Sequence, residues 1–126
     1  MHDAHPPMVA VREAVARALA EDLTPLGDLT SALLPPALEA TAQFVPRAAG
    51  ILAGRLCAME AFRQIDPGLE VAWWADDGDQ IAAGVAIAEV RGPLAPILTA
   101  ERTALNFLGH LSGIATLTGR FVDAIS

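Results

Sequence analysis

The sequence predicts an α+β domain, and three observations carry that expectation. Short apolar runs punctuated by glycine fill the middle of the chain, from Ala40 to Gly92. Helical periodicity flanks that middle on both sides. The two textures do not alternate as regular βαβ units would. With 126 residues, 53% of them apolar, the chain can bury a core of its own, and the length suits one domain.

Taken in order, Val9, Val11, Val15, Leu19 and Leu23 interleave with Arg12, Glu13, Arg17, Glu21 and Asp22, the pattern of an amphipathic helix of about four turns. It should end before Thr24-Pro25. Gly27, Asp28, Thr30 and Ser31 then read as a capped turn, and Leu33-Leu-Pro-Pro36 as a rigid corner. Ala42-Gln-Phe-Val45 and Gly50-Ile-Leu-Ala53 read as strands joined by a hairpin or tight crossover. Arg55 to Ile65 is a helix stopped by Asp66-Pro67-Gly68. Leu69 to Trp74 forms a half-buried strand with its two tryptophans on opposite faces, and Val85 to Val90 another that ends at Gly92.

From Pro93 onward the sequence reads as helix, with proline at the first turn. At roughly 100° per residue, Ala104, Phe107, Leu108, Leu111, Ile114, Ala115, Val122 and Ile125 form one apolar stripe. Arg102, Asn106, Gly109, Gly113, Thr116 and Arg120 occupy the opposite side. Small and polar residues there, where Glu and Lys would be ordinary, suit close approach of another backbone or a ligand. Gly109, Ser112 and Gly113 allow a break near Leu111, leaving one helix or two in succession.

A net charge of −7 and the absence of any basic run argue against nucleic-acid binding. All eight basic residues are arginine, which removes every mechanism that needs a lysine amine. The single cysteine, Cys57, is expected as a small buried hydrophobe on a helix. No signal-peptide pattern and no membrane-length apolar run is present, so a cytoplasmic location is expected, and His2 and His5 are read as solvated. Asp76-Asp-Gly-Asp79 lacks the ligand spacing of a calcium loop and reads as a turn. Gly78-Asp-Gln-Ile-Ala-Ala-Gly84 is similar to carrier domains that bear biotin or lipoate, but those need a lysine.

Candidates for chemistry are few. His110 is a lone histidine on a helix flank, and no two carboxylates are paired at a shared position. Arg102 differs: no charged residue stands three or four positions after it to hold it locally, and its face is otherwise small. A guanidinium so placed suits a carboxylate or phosphate, which its planar fork grips bidentately.

The run Glu101-Arg-Thr-Ala-Leu-Asn-Phe-Leu-x-x-Leu-Ser-Gly-Ile-Ala-Thr116 resembles the signature of the quinolinate phosphoribosyltransferases. So do Glu21-Asp22, Gly27-Asp-Leu-Thr30, Ala42-x-Phe44, Gly50-Ile-Leu-Ala-Gly54 and Asp77-Gly-Asp-x-Ile-x-x-Gly84, so that the resemblance spans nearly the whole chain. It implies an N-terminal α+β domain over 1–111, with antiparallel strands in a hammerhead-like arrangement packed against helices. Residues 112–126 would then begin an α/β barrel whose remainder lies beyond this chain.

The implied role is the N-terminal, substrate-binding and dimerisation part of an enzyme of NAD biosynthesis. That enzyme converts quinolinate and phosphoribosyl pyrophosphate into nicotinate mononucleotide, pyrophosphate and CO2. The resemblance places one ligand here, Arg102, offered to a quinolinate carboxylate in the neighbouring subunit, with Asn106, Gly109 and Gly113 as the close-packing face. It implies a homodimer, no catalytic or metal-binding residue in this segment, and Mg2+ arriving with phosphoribosyl pyrophosphate at the full enzyme. The chain alone is expected to be inactive, and its residues after Leu111 to swing away or pair with another copy. A family relative associated with molybdenum transport and a non-catalytic dimerisation module are the alternatives.

Overall fold

The strand Glu39–Pro46 (β1) organises the molecule, because it is hydrogen-bonded along both edges. In this computed structural model, which describes residues 7–22, 38–112 and the backbone of 117–125, the other elements are Met8–Asp22 (α1), Gly50–Ile51 (β2), Arg55–Ile65 (α2), Glu70–Trp73 (β3), Gln80–Ile81 (β4), Ala88–Pro93 (β5), Leu94–Leu111 (α3) and Leu117–Ile125 (β6). Four strands form an antiparallel sheet in the order β3-β5-β1-β6, while β2 and β4 pair separately.

Alternation divides the sheet into two faces. Val90 of β5 stands opposite Ala42 of β1 and Val71 of β3, and Ala88 opposite Phe44 and Trp73. These six belong to the core or pack against it. The intervening row, Thr41, Arg91 and Glu70, followed by Gln43, Glu89 and Ala72, faces outward in the same register. Among the described residues the sheet is thus open on one side and covered by helices on the other. Phe44 stacks on Phe62 of α2 with ring centroids 5.7 Å apart, joining the sheet to the helical layer.

α1 contributes Val11, Val15 and Leu19, four residues apart and buried, as the sequence pattern anticipates. A second link ties it to α2. Glu60, only 3% exposed, accepts hydrogen bonds from Arg63 Nε and Nη2 and from Gln64 Nε2, and Gln64 Nε2 also reaches the Arg12 carbonyl at 3.1 Å. The bonds from Arg63 hold the Glu60 carboxyl below its usual range, against the opposing effect of burial. Cys57 is buried on α2 as expected, with its thiol pushed up by burial and secondarily by Asp77.

Two expectations are corrected. Gly50–Ile51 does not form a hairpin with β1; it pairs with β4, Gly50 opposite Ile81 and Ile51 opposite Gln80. β1 is already occupied on both edges, so the glycine-bearing turn reaches the other sheet instead. The predicted helix also does not continue to Ile125. It stops at Leu111, and Leu117–Ile125 runs antiparallel to β1 with a bulge at Thr41/Ala42. Thr118, Phe121, Val122 and Ile125 are β-branched or aromatic and suit a strand, and pairing here covers an edge of β1 that would otherwise present unpaired amides. The turn expected at Gly27 to Ser31, the corner at Leu33 to Pro36, and His2 and His5 lie outside the described residues. So do the side chains of Ile114, Ala115, Val122 and Ile125.

Candidate functional site

α3 follows β5 directly: Pro93 ends the strand, and the Leu94 amide bonds to the Leu38 carbonyl at 2.8 Å. The helix buries Ile97, Ala100, Thr103, Ala104 and Leu108. Phe107 packs at the edge of this stripe, whereas Leu111, expected within it, is 51% exposed. Leu111 sits in the last turn and lies against Gly54, where a Cβ would come within 3.0 Å of its Cδ1 and 3.2 Å of the Phe107 carbonyl oxygen. Gly54 also has φ +93°, so glycine is required there on two counts.

On the outer side, Arg102 and Asn106 are exposed and Gly109 is half-buried; a Cβ built on Gly109 would meet nothing within 4 Å. Space for a close neighbour therefore exists there, unfilled by the described residues. Gly113 lies outside the described residues. Arg102 makes no hydrogen bond or ion pair with any described residue. Two other arginines are engaged: Arg63 by Glu60, and Arg55 by Asp76 at 3.1 Å while its guanidinium lies 5.3 Å from the centroid of the Trp73 ring. Arg102 is thus exposed on α3, its five donors unclaimed by the described residues. His110 is exposed, in the last turn of the helix.

Three features of this region escape sequence reasoning. Ser112, at the C-cap of α3, is buried and clasps the loop before α2. Its hydroxyl donates to the Ala53 carbonyl at 2.9 Å and accepts from the Ala53 amide at 2.8 Å. Asp77 supplies the cap that α2 lacks locally, its Oδ1 accepting from the Arg55 amide at 3.1 Å. Two acidic residues of the Asp76 to Asp79 turn are therefore spent on the start of α2. Among the described residues, no three His, Cys, Asp or Glu side chains are grouped to hold a metal ion.

Glu101 is the third. It is half-buried beside the apolar stripe, and its Oε2 is buried with no hydrogen-bond partner. Burial pushes its carboxyl above the ordinary range. The only hint in the sequence is its position, three residues before buried Ala104 and four after buried Ile97.

The described residues thus form an α+β domain that presents Arg102, without a partner among them, on the exposed side of α3. Residues 28–112 match the family model described as the quinolinate phosphoribosyl transferase N-terminal domain, and the chain belongs to that family. It is 41% identical over 119 residues to the mitochondrial quinolinate phosphoribosyltransferase (decarboxylating) 2b of Nicotiana tabacum, covering 94% of this chain and 34% of that protein. Against the carboxylating nicotinate-nucleotide pyrophosphorylase of Mycobacterium leprae it is 38% identical, covering 92% of this chain and 42% of that one. The solved nicotinate-nucleotide pyrophosphorylase of Francisella tularensis superposes with a TM-score of 0.77 at 35% identity, over 83% of this chain and 37% of that one. The chain thus spans roughly a third of the relatives' length, and no helix among the described residues is long and apolar enough to cross a membrane.

Proposed function

We propose that this chain is the N-terminal part of a phosphoribosyltransferase of NAD biosynthesis. The enzyme would move the phosphoribosyl group of phosphoribosyl pyrophosphate to the ring nitrogen of quinolinate, releasing pyrophosphate and CO2 and leaving nicotinate mononucleotide. The observation that carries the reading is the outer face of α3, where Arg102 is exposed and without a partner among the described residues. Its role is to grip one quinolinate carboxylate in the active site of a neighbouring subunit, while Asn106, Gly109 and Gly113 let the two surfaces approach. A charge-assisted, bidentate grip fixes the orientation of the planar substrate before the bond to its nitrogen forms.

The smallest competent unit is a homodimer, and its location is cytoplasmic, although the Nicotiana tabacum relative is named as mitochondrial. Mg2+ would arrive with phosphoribosyl pyrophosphate at the full enzyme. The proposed division puts the catalytic machinery after residue 111, so the 126-residue chain alone forms no nicotinate mononucleotide.

A chimaera tests the assignment, with these residues replacing the matching part of the Mycobacterium leprae relative. Arg102→Ala should lower kcat/KM for quinolinate by about 10- to 100-fold, the loss of one charge-assisted pair, with the fall concentrated in KM. An unchanged kcat/KM in that variant would remove Arg102 from the site. Turnover by the isolated chain would remove the division of labour.

A further inference from the structure

β3 ends the sheet on the side away from β6, and its only strand partner among the described residues is β5. The Trp74 amide bonds to the Ile87 carbonyl at 2.9 Å, and counting back by twos along the register makes Ala72 with Glu89 and Glu70 with Arg91 the hydrogen-bonded pairs. Val71 and Trp73 therefore turn their N–H and C=O groups outward. Among the described residues nothing bonds to those four groups, and the Leu69 amide, held by the Asp66 carbonyl at 3.1 Å, marks where the free edge begins.

Beside this edge, on the core-facing side of Val71, lies a hollow of about 410 Å³. Leu56, Met59 and Phe62 of α2, Met8 of α1, and Leu69 and Val71 line it; Met8 and Met59 are exposed at its mouth. Glu60 and Arg63, which also border it, neutralise each other, so the hollow suits an apolar group. No residue of α3 takes part.

We propose that the outer edge of β3 receives an extended peptide segment of a partner protein as a fifth, antiparallel strand. Only an extended backbone matches a row of donors and acceptors spaced every second residue, and the other pairs of this sheet are antiparallel as well. The peptide residue opposite Val71 exchanges both bonds with it and points its side chain to the same face, into the hollow, which calls for leucine or a similar apolar residue there. The next peptide residue stands opposite Glu70. Glu70 is exposed on the open face and makes no ion pair with any described residue, so a lysine or arginine follows the apolar position. The charge of −7 on the chain attracts such a basic segment at long range.

Fluorescence anisotropy of a labelled nine-residue peptide, with leucine then lysine at its centre and threonine elsewhere, reads binding to the 126-residue chain at neutral pH. Saturable binding is expected, weakened at least about tenfold when the leucine nitrogen is methylated, because that removes the donor to the Val71 carbonyl and keeps the side chain. Met59→Glu should cost at least about tenfold as well. Glu70→Lys should lower affinity for this peptide about threefold and raise it for one in which glutamate replaces the lysine. Circular dichroism confirms that each variant is folded. In hydrogen exchange, the Val71 and Trp73 amides should be open in dilute chain and gain at least about tenfold protection with the peptide, while the Ala72 amide, bonded to β5, is protected in both. No saturable binding up to about 1 mM peptide would overturn the proposal, as would equal binding of the methylated peptide, which would leave the hollow alone as the site. Val71 and Trp73 amides already protected in dilute chain, or protected by raising its concentration without peptide, would give the edge to the chain itself and overturn it equally.

Discussion

Ser112 and Glu101 stand at the two extremes of polar burial on one helix. The Ser112 hydroxyl satisfies both backbone groups of Ala53 across 59 positions of sequence. Ser112→Ala leaves a buried amide and carbonyl unpaired, and urea denaturation should show a loss of about 1–3 kcal/mol. Glu101 carries the opposite sign. Its carboxyl is raised above its unfolded value, so its contribution to stability is fully present below the unfolded value and is lost as pH rises through the folded one. Glu101→Gln should therefore stabilise the monomeric chain by about 1 kcal/mol at neutral pH and flatten that part of the pH profile. Thermal melts of dilute wild type and variant from acid to neutral pH check this, and parallel profiles would refute it. Neither behaviour shows in the sequence. A serine beside a glycine reads as a break, and a glutamate before an arginine reads as surface, until the packing around each is known.

At the scale of elements, α3 shows how far periodicity reaches. The apolar positions Ala104 and Leu108 and the open face at Arg102 and Asn106 follow from a repeat of 3.6 and were readable directly. The end of the helix was not. Residues 114 to 125 fit the same wheel, yet their β-branched and aromatic members fit a strand as well, and a short apolar run cannot choose between the two. Gly109 separates local stability from docking. It lies in the interior of a helix with open space around its Cα, so Gly109→Ala should stabilise the isolated monomer by up to about 1 kcal/mol. The added methyl should at the same time weaken association, because it occupies the space offered to a partner. Denaturation of dilute chain and sedimentation of concentrated chain measure the two effects independently.

For the molecule as a whole, β1 is the strand on which the rest depends. It is paired with β5 on one edge and β6 on the other, and it carries Ala40, Ala42 and Phe44 into the core. In native-state hydrogen exchange its amides should open only with global unfolding, whereas those of the two-stranded β2-β4 pair should exchange by smaller local openings. Equal protection in both would show that the small pair is not a separate unit. Most of this architecture was open to sequence reading: the α+β class, the span of α2 between Gly54 and Asp66, and the order of elements up to Leu111. Periodicity, glycine and proline are local signals, and those elements are locally specified. Which strand pairs with which, the edge that takes Leu117–Ile125, the clasp at Ser112 and the orphaned oxygen of Glu101 were settled only by the tertiary structure. Each depends on groups far apart along the chain, and a hydrogen bond or its absence is decided by what folding brings within 3 Å, not by what stands next in sequence.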